Sequence, residues 1–283
     1  MEIFDAAEQD VEYIESCIEQ YNNSQVSCAT PTQHLSACIK ESGEVVGGIL
    51  AEIRFATVLF VDMLWVSEKH RGKGYATALM NHIEKLSIEK GCKLSHLATF
   101  EFQALGFYEK LGYTVFGFMD NVPQGYKDFC LQKTLKPCSI DGDTNIEIHA
   151  PTDEDVEFFC NGLKAYNKSV LSSMHFPKSS KFEKCIKIGE ELIGGILAYT
   201  FWNMVVLEAL WVKEEFRNNG YATELLNALE KYAKGHGSTI IYLETFNPQM
   251  RNLCKKSGYV IYGVMEDYPE GYSRYYMCKQ ILY

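Results

Sequence analysis

The sequence predicts an α+β fold of two tandem domains, each a mixed, mostly antiparallel sheet with helices on both faces. Two observations support this prediction. Segments with strand periodicity and segments with helix periodicity alternate along the chain, and the segments of the first half return about 146 residues later. Hydrophobic residues make up 47% and charged residues 23% of the 283 residues, which is typical of globular proteins and excludes a disordered chain.

Two segments show the repetition directly. EVVGGILA at 44–51 returns as ELIGGILA at 191–198, with six of eight positions identical. DMLWVSEKHRGKGYATALM at 62–80 returns as EALWVKEEFRNNGYATELL at 208–226, with ten of nineteen identical. The period is too long for a solenoid repeat, so it indicates duplication of a whole domain.

The repetition and a change in composition set the predicted domain boundaries. Residues 137–144 are polar, contain Pro and Gly and show no periodicity, which predicts a linker. The predicted domains are therefore residues 1–136 and 145–283, which we call the first and second repeats.

The elements of the first repeat follow from its periodicity, and the second repeat has the same order. Apolar residues three and four positions apart indicate helices, alternation indicates strands, and Gly91 and Gly112 end two helices. The predicted elements are a strand opening at 3–4, a helix with its apolar face at 11–21, strands at 44–54 and 57–66, a helix at 77–90, a strand at 94–99, a helix at 104–111, and strands at 113–118 and 128–134.

Charge and composition exclude several functional classes. The net charge is −10 and acidic residues are in excess in both repeats, which disfavours a nucleic-acid partner. No apolar run reaches the ~18 residues of a membrane helix, and the N-terminus lacks the pattern of a signal peptide. We therefore expect no membrane partner and a cytoplasmic location. The ten cysteines form no CxxC pair and no Cys/His cluster, so we expect reduced thiols and no metal site.

A loop of small residues joins a strand to a helix in both repeats: HRGKGYA at 70–76 and FRNNGYA at 216–222. Such a loop leaves backbone N–H groups unpaired at the positive end of the helix dipole, which suits a pyrophosphate. Gly74 and Gly220 permit close approach of the backbone. The loop has neither the Walker pattern nor GxGxxG, and a glycine before a helix is by itself more often a plain turn.

A second motif, QALGFYEKLGY, follows at 103–113. R-x-x-G-x-A after a strand ending in LWV, followed by A-x-x-F-Y-E-K-L-G-Y, resembles the GNAT superfamily of acyl-CoA-dependent N-acyltransferases. The resemblance covers nearly the whole chain, twice. It implies that the loop binds the pyrophosphate of acetyl-CoA and that the preceding strand end binds the pantetheine arm, where a backbone amide polarises the thioester carbonyl.

The resemblance implies cofactor-binding residues in both repeats. Asn247 is included because it matches an asparagine with which many relatives bind pantetheine, where the first repeat has Glu101. The implied residues are Leu64, Trp65, Val66, Arg71, Gly72, Lys73, Gly74, Tyr75, Ala76 and Thr77 in the first repeat, and Leu210, Trp211, Val212, Arg217, Asn218, Asn219, Gly220, Tyr221, Ala222, Thr223 and Asn247 in the second.

Acetyl transfer to an amine needs a base, because an ammonium group has no lone pair for attack. Asp62 is the candidate in the first repeat, since it lies on an apolar strand just before the loop, and Glu208 occupies the same place in the second. The alternative for each is a carboxylate on the outer face of a strand.

The resemblance implies that Tyr108 is the general acid that protonates the leaving sulfur; the alternative is a core tyrosine. In the second repeat Cys254 stands opposite Tyr108, so the loop is kept and the acid is lost. We do not expect Cys254 to be a nucleophile, because no His lies nearby in sequence. The chemistry is therefore predicted mainly in the N-terminal half.

The predicted function is acetyl transfer from acetyl-CoA to a primary amine of a small molecule or peptide, by direct attack in a ternary complex. The alternative is an acyl-CoA-binding regulatory or structural protein with a degenerate C-terminal half. Trp65 and Trp211 either line a pocket or belong to the core. The segment at 117–126, which returns at 263–272, either shapes the acceptor site or connects two strands. The oligomeric state is left open.

Overall fold

The computed structural model describes residues 2–25, 31–136, 146–174 and 178–282. The predicted linker at 137–144 lies outside the described residues. The strands are β1 (Phe4–Asp5), β2 (Gln33–Glu41), β3 (Glu44–Arg54), β4 (Val58–Val66), β5 (Leu94–Phe100), β6 (Thr114–Asp120), β7 (Lys127–Thr134), β8 (Lys181–Ile188), β9 (Glu191–Phe201), β10 (Met204–Val212), β11 (Ile240–Thr245), β12 (Val260–Met265) and β13 (Arg274–Gln280). The helices are α1 (Glu8–Gln25), α2 (Tyr75–Glu89), α3 (Leu105–Lys110), α4 (Asp153–Val170), α5 (Tyr221–Gly235) and α6 (Pro248–Lys256).

The strands form one continuous sheet in the order β1-β8-β9-β10-β11-β13-β12-β6-β7-β5-β4-β3-β2. Only β4–β5 and β10–β11 among these neighbours are parallel. The sheet is therefore mixed and mostly antiparallel with helices packed on it, which confirms the predicted α+β class. Within the described ranges, no helix has the length and apolar character needed to cross a membrane.

The two halves of the sheet meet at a single pair of glycines, Gly117 on β6 and Gly263 on β12. A Cβ atom at Gly117 would lie 2.8 Å from the carbonyl oxygen of Tyr262, so only glycine permits this approach of the two backbones. The repeated segments at 117–126 and 263–272 connect β6 to β7 and β12 to β13. Their buried Val122 and Tyr268 pack at the contact between the halves.

The first strand and helix of each repeat pack on the sheet of the other repeat. β1 pairs with β8, and α1 packs on β9 and β10. In return, His149 bridges to Cys38 on β2, and α4 packs on β3 and β4. We call residues 31–136 with 146–174 the N-terminal lobe, and residues 2–25 with 178–282 the C-terminal lobe. The boundaries at 1–136 and 145–283 remain a prediction about the sequence repeats. Each lobe contains residues from both repeats.

Glycines in the repeated GGILA segments make room for the exchanged helices. A Cβ atom on Gly48 of β3 would lie 2.2 Å from the Phe159 ring of α4. A Cβ atom on Gly195 of β9 would lie 2.1 Å from the Ile14 side chain of α1. Phe159 and Ile14 are both fully buried. The most similar segment of the two repeats is therefore the one on which each exchanged helix packs.

This packing predicts a large effect of Gly48→Ala on stability. The added methyl overlaps the buried Phe159 ring, so α4 must shift, and overpacking of this kind costs about 1 to 3 kcal/mol of the free energy of unfolding. Gly235→Ala is the control, because a Cβ there meets no atom within 4 Å. Chemical denaturation measures both variants. Equal unfolding free energies for the two variants would contradict the close packing of α4.

Candidate functional site

A β-bulge places one candidate base in each lobe at the point where two parallel strands separate. Leu50 pairs with Met63 and Ala51 with Val61, which leaves Asp62 as the extra residue. Glu208 is the extra residue of the matching bulge in β10. Beyond these bulges β4 no longer pairs with β5, and β10 no longer pairs with β11.

The separated strands enclose a cleft in each lobe. Residues 64–66 pair only with β3, and residues 210–212 pair only with β9, so the other edge of each strand faces the cleft. Unpaired strand edges of this kind bind extended ligands through their backbone groups. The N-terminal cleft is a cavity of about 360 Å³, and the C-terminal cleft is one of about 1010 Å³.

The glycine loop lies at one end of each cleft and leads into a helix. Gly74 precedes α2 with φ +87°, and Gly220 precedes α5 with φ +86°. Neither helix has a side-chain cap, and its first N–H groups have no acceptor among the residues that the structure describes. A Cβ atom at Gly74 or Gly220 would meet no atom within 4 Å. Each loop therefore presents open backbone donors, as an anion site requires.

The predicted residues differ in how closely they approach the cavities. Gly72, Lys73, Gly74, Tyr75 and Thr77 form the outer part of the N-terminal loop and do not line the cavity, and the same holds for Asn219 in the C-terminal lobe. The predicted residues that line the N-terminal cavity are Asp62, Leu64, Trp65, Val66, Arg71, Ala76 and Tyr108. Those that line the C-terminal cavity are Leu210, Trp211, Val212, Arg217, Asn218, Gly220, Tyr221, Ala222, Thr223 and Asn247.

Several of these side chains also have structural partners. Arg71 Nε donates to the Val66 carbonyl at 3.2 Å, and Arg217 Nε donates to the Val212 carbonyl at 3.0 Å. Lys73 Nζ lies 3.5 Å from Glu41, to which the Tyr75 hydroxyl also donates. Each arginine thus holds its loop against the end of the preceding strand.

Both tryptophans line a cavity and also contact an exchanged helix. The Trp65 ring meets Phe158 edge-on at 5.8 Å, and the Trp211 ring meets Tyr13 at 5.7 Å. Each tryptophan therefore both lines a cavity and packs against the protein interior, so the two alternatives are true at the same time.

Asn247 lies at the start of α6, where its side chain has a structural task. Its Oδ1 accepts a hydrogen bond from the Gln249 amide at 2.8 Å and caps the helix. The Asn247 side-chain nitrogen has no partner among the described residues, so it can serve as a donor in the C-terminal cavity.

Tyr108 on α3 lines the N-terminal cavity, as Asp62 does, and it also belongs to the hydrophobic core of that lobe. It is 8% exposed, and its hydroxyl has no hydrogen-bond partner within the described part of the chain. Burial raises the pKa of the Tyr108 phenol above its usual value. The group therefore carries its proton over the whole range of ordinary pH.

Cys254, its counterpart, belongs to the hydrophobic core of the C-terminal lobe and does not line the cavity. It is fully buried, and burial raises the pKa of its thiol to about 12. A buried, protonated thiol outside the cavity can neither attack a ligand there nor protonate a leaving group.

Both candidate bases have a raised carboxyl pKa. Both side chains are exposed to solvent at the strand surface, and partial desolvation by the surrounding protein is the main cause of each pKa shift. Glu52 adds to the pKa shift of Asp62 and Arg54 opposes it, whereas Glu15 on the exchanged helix α1 adds to the pKa shift of Glu208. A base with a raised pKa holds an abstracted proton more firmly, which suits removal of a proton from an ammonium group.

Residues at the C-terminal end of α4 join the two walls of the N-terminal cleft. The Tyr166 hydroxyl donates to the Phe102 carbonyl at 2.9 Å, and the Arg71 guanidinium lies 4.9 Å above the Tyr166 ring. Gln103 Nε2 donates to Asn167 Oδ1 at 3.0 Å. The second repeat thus supplies part of the site that the first repeat builds.

The same residue types recur in the C-terminal cleft without these bonds. Tyr21, Asn22 and Gln249 line its cavity, and no hydrogen bond joins them in the described structure. The C-terminal cleft is accordingly the larger of the two. These residues were not among the predicted ones, although the Tyr-Asn pair that recurs at 21–22 and 166–167 is a signal in the sequence.

The described residues contain no group of three or more His, Cys, Asp or Glu that could hold a metal ion. The clefts are instead built from backbone donors, one carboxylate each and apolar walls. Such an arrangement suits an extended ligand with an anionic end and an acceptor that gives up a proton.

Comparisons with known proteins agree with this geometry. The sequence profile of the Acetyltransferase (GNAT) family matches residues 2–113 and 152–259. Blasticidin-S acetyltransferase of Streptomyces morookaense is 35% identical over 96 residues, which cover 34% of this chain and 70% of that protein. Acetyltransferase Atu2258 of Agrobacterium fabrum is 29% identical over 93 residues, covering 33% and 67%. The crystal structure of an acetyltransferase from Bacillus cereus has 34% identity and a TM-score of 0.46, covering 48% of this chain and 98% of that one.

Proposed function

Because the chain belongs to the acetyltransferase (GNAT) family, we propose that it transfers an acetyl group from acetyl-CoA to a primary amine of a small molecule or peptide, and that the N-terminal cleft performs the transfer. One observation carries the proposal: Asp62 and Tyr108, a candidate base and a candidate acid, line the same cavity from different elements.

The residues of both clefts fit acetyl-CoA. Two glycines with positive φ leave open space in front of the unpaired amides of α2, as a pyrophosphate requires. The free edge at 64–66 can bind an extended arm in the manner of an added strand. Residues 71–77 would hold the pyrophosphate, and residues 64–66 would hold the arm. When bound, acetyl-CoA supplies an acetyl group activated as a thioester.

Asp62 acts first in the proposed reaction. An alkylammonium group with a pKa near 10.4 must lose a proton before its nitrogen can attack the acetyl carbon. The Asp62 carboxylate accepts this proton, directly or through a water molecule. Its position at the bulge, at the opening between β4 and β5, lets it meet an acceptor that enters beside the strand edge.

Tyr108 acts when the carbon–sulfur bond breaks. Its phenol donates a proton to the leaving sulfur, which departs as the thiol. The burial that raises the pKa of Tyr108 disfavours a thiolate in the same cavity as well, so the proton transfer stays close to balanced.

For the C-terminal cleft we propose cofactor binding without comparable turnover. The loop, the strand edge and Glu208 all line its cavity, but no phenol takes the place of Tyr108. Binding by backbone amides does not depend on a tyrosine. This favours a regulatory or structural role for that lobe beside the catalytic one.

Paired substitutions test where the chemistry occurs. Tyr108→Phe removes the proton donor, and general acid catalysis typically contributes about 10² to 10⁴ in rate, so kcat should fall by that order. Cys254→Ala should leave kcat nearly unchanged because the thiol lies outside the cavity. Release of free coenzyme A thiol from a panel of amines measures both. Equal losses in two folded variants would mean that the lobes contribute alike.

The pH dependence of Asp62→Asn tests the base. Near neutral pH only the small neutral fraction of the amine can react in the variant. Its rate should therefore rise about tenfold per pH unit until the pH reaches the pKa of the amine. The wild-type rate should depend less on pH, because the Asp62 side chain can accept the proton of the ammonium form in the complex. The ratio of the wild-type rate to the variant rate should therefore fall as the pH rises. A defect that stays constant from neutral to alkaline pH would assign Asp62 to orientation alone.

A further inference from the structure

Asp128 borders the N-terminal cavity behind Phe100, its register partner, and is not itself among the residues that line the cavity. Asp128 on β7 is the counterpart of Arg274 on β13, and Phe100 is the counterpart of Phe246. Both Arg274 and Phe246 line the C-terminal cavity. In the N-terminal lobe Phe100 lines the cavity and pairs in register with Asp128, so the two side chains share one face of the sheet.

Asp128 lacks the partner that its counterpart has. Arg274 Nε lies 2.6 Å from Glu244, whereas Ala98 occupies the place of Glu244 in the N-terminal lobe. Asp128 is 8% exposed, and its buried Oδ1 has no hydrogen-bond partner among the described residues. Burial alone raises the pKa of this carboxyl to about 8. A buried carboxyl oxygen without a partner costs stability, so its presence points to a ligand that completes it. Near neutral pH the unliganded carboxyl is mostly protonated, and a bound cation would favour its ionised form.

Aromatic rings cluster around Phe100, the register partner of Asp128. The Phe100 ring stacks on Phe102 at 5.5 Å and contacts Trp202 at 4.8 Å. Trp202 comes from the turn between β9 and β10, so the C-terminal lobe supplies one wall. Aromatic faces attract ammonium groups, and the attraction grows when the site is shielded from water.

We propose that Asp128, beside Phe100 and Trp202, binds a second cationic group of the acceptor, so that the N-terminal lobe acts on amines that carry a further positive charge. This inference rests on the proposed function of the same cleft. Asp62 on β4 receives the reacting ammonium, and Asp128 on β7 lies two strands away. With strands about 4.8 Å apart and Asp128 two residues further along the sheet than Asp62, the two carboxyl groups are on the order of 12 Å apart, which a flexible diamine can bridge with a hydrogen bond at each end.

Binding to the full-length protein tests the site without depending on turnover. The probes are 1,6-diaminohexane and 1-aminohexane, titrated by calorimetry. The wild type should bind the diamine about tenfold or more tightly than the monoamine, since a charged hydrogen bond is worth about one to two powers of ten in Kd. Asp128→Asn should abolish this preference. Asp120→Asn is the matched control, because Asp120 is an exposed carboxylate on the same hairpin, paired with Lys127.

Thermal unfolding separates a ligand-binding role from a structural one. Removing a buried carboxyl without a partner should leave the Tm of Asp128→Asn equal to or above that of the wild type, whereas loss of a structural contact would lower it. A preference for the diamine that survives in Asp128→Asn, no preference in the wild type, or a lowered Tm with both amines weakened would each overturn the site. Tight binding of the diamine without acetylation would leave this site in place and refute acetyl transfer.

Discussion

The packing of an exchanged helix against a glycine of the GGILA segment, on β3 in one lobe and on β9 in the other, is the contact on which the rest of the structure depends. Phe159 on α4 fills the space that Gly48 leaves open, and Ile14 on α1 fills the space at Gly195. Each lobe therefore needs a helix from the other repeat to cover its sheet. The continuous sheet through Gly117 and Gly263 adds a second connection, so neither repeat is complete alone.

The exchange also differentiates the two clefts. In the N-terminal cleft, Tyr166 and Asn167 of α4 bond to both walls, and the cavity is small and contains Tyr108. In the C-terminal cleft, Tyr21 and Asn22 of α1 make no such bonds within the described residues, and the cavity is larger. The two lobes thus have the same backbone arrangement after duplication, and different residues at a few positions give their clefts different linings.

Much of the fold followed from the sequence because repetition and periodicity depend on local order. The repeat, the loops and the candidate acid and base were all visible there. The exchange of helices between the lobes could not be predicted from the sequence, because the apolar face of a helix fits either of two similar sheets. β2 was also missed, since Ala37, Cys38 and Ile39 are all buried and break the alternation of a strand covered on one side only. Asp128 was indistinguishable from a surface carboxylate until its burial was known.

The central claim is that one lobe carries the turnover and the other only binds, and matched loop substitutions test it most directly. Gly74→Asp and Gly220→Asp place the same carboxylate at equivalent helix starts, with φ +87° and +86° and open space around each. Turnover and coenzyme A stoichiometry should be measured on both variants. We expect each to lose one of two bound coenzyme A molecules, and Gly74→Asp alone to lose nearly all activity. Equal activity losses, or loss confined to Gly220→Asp, would contradict the account.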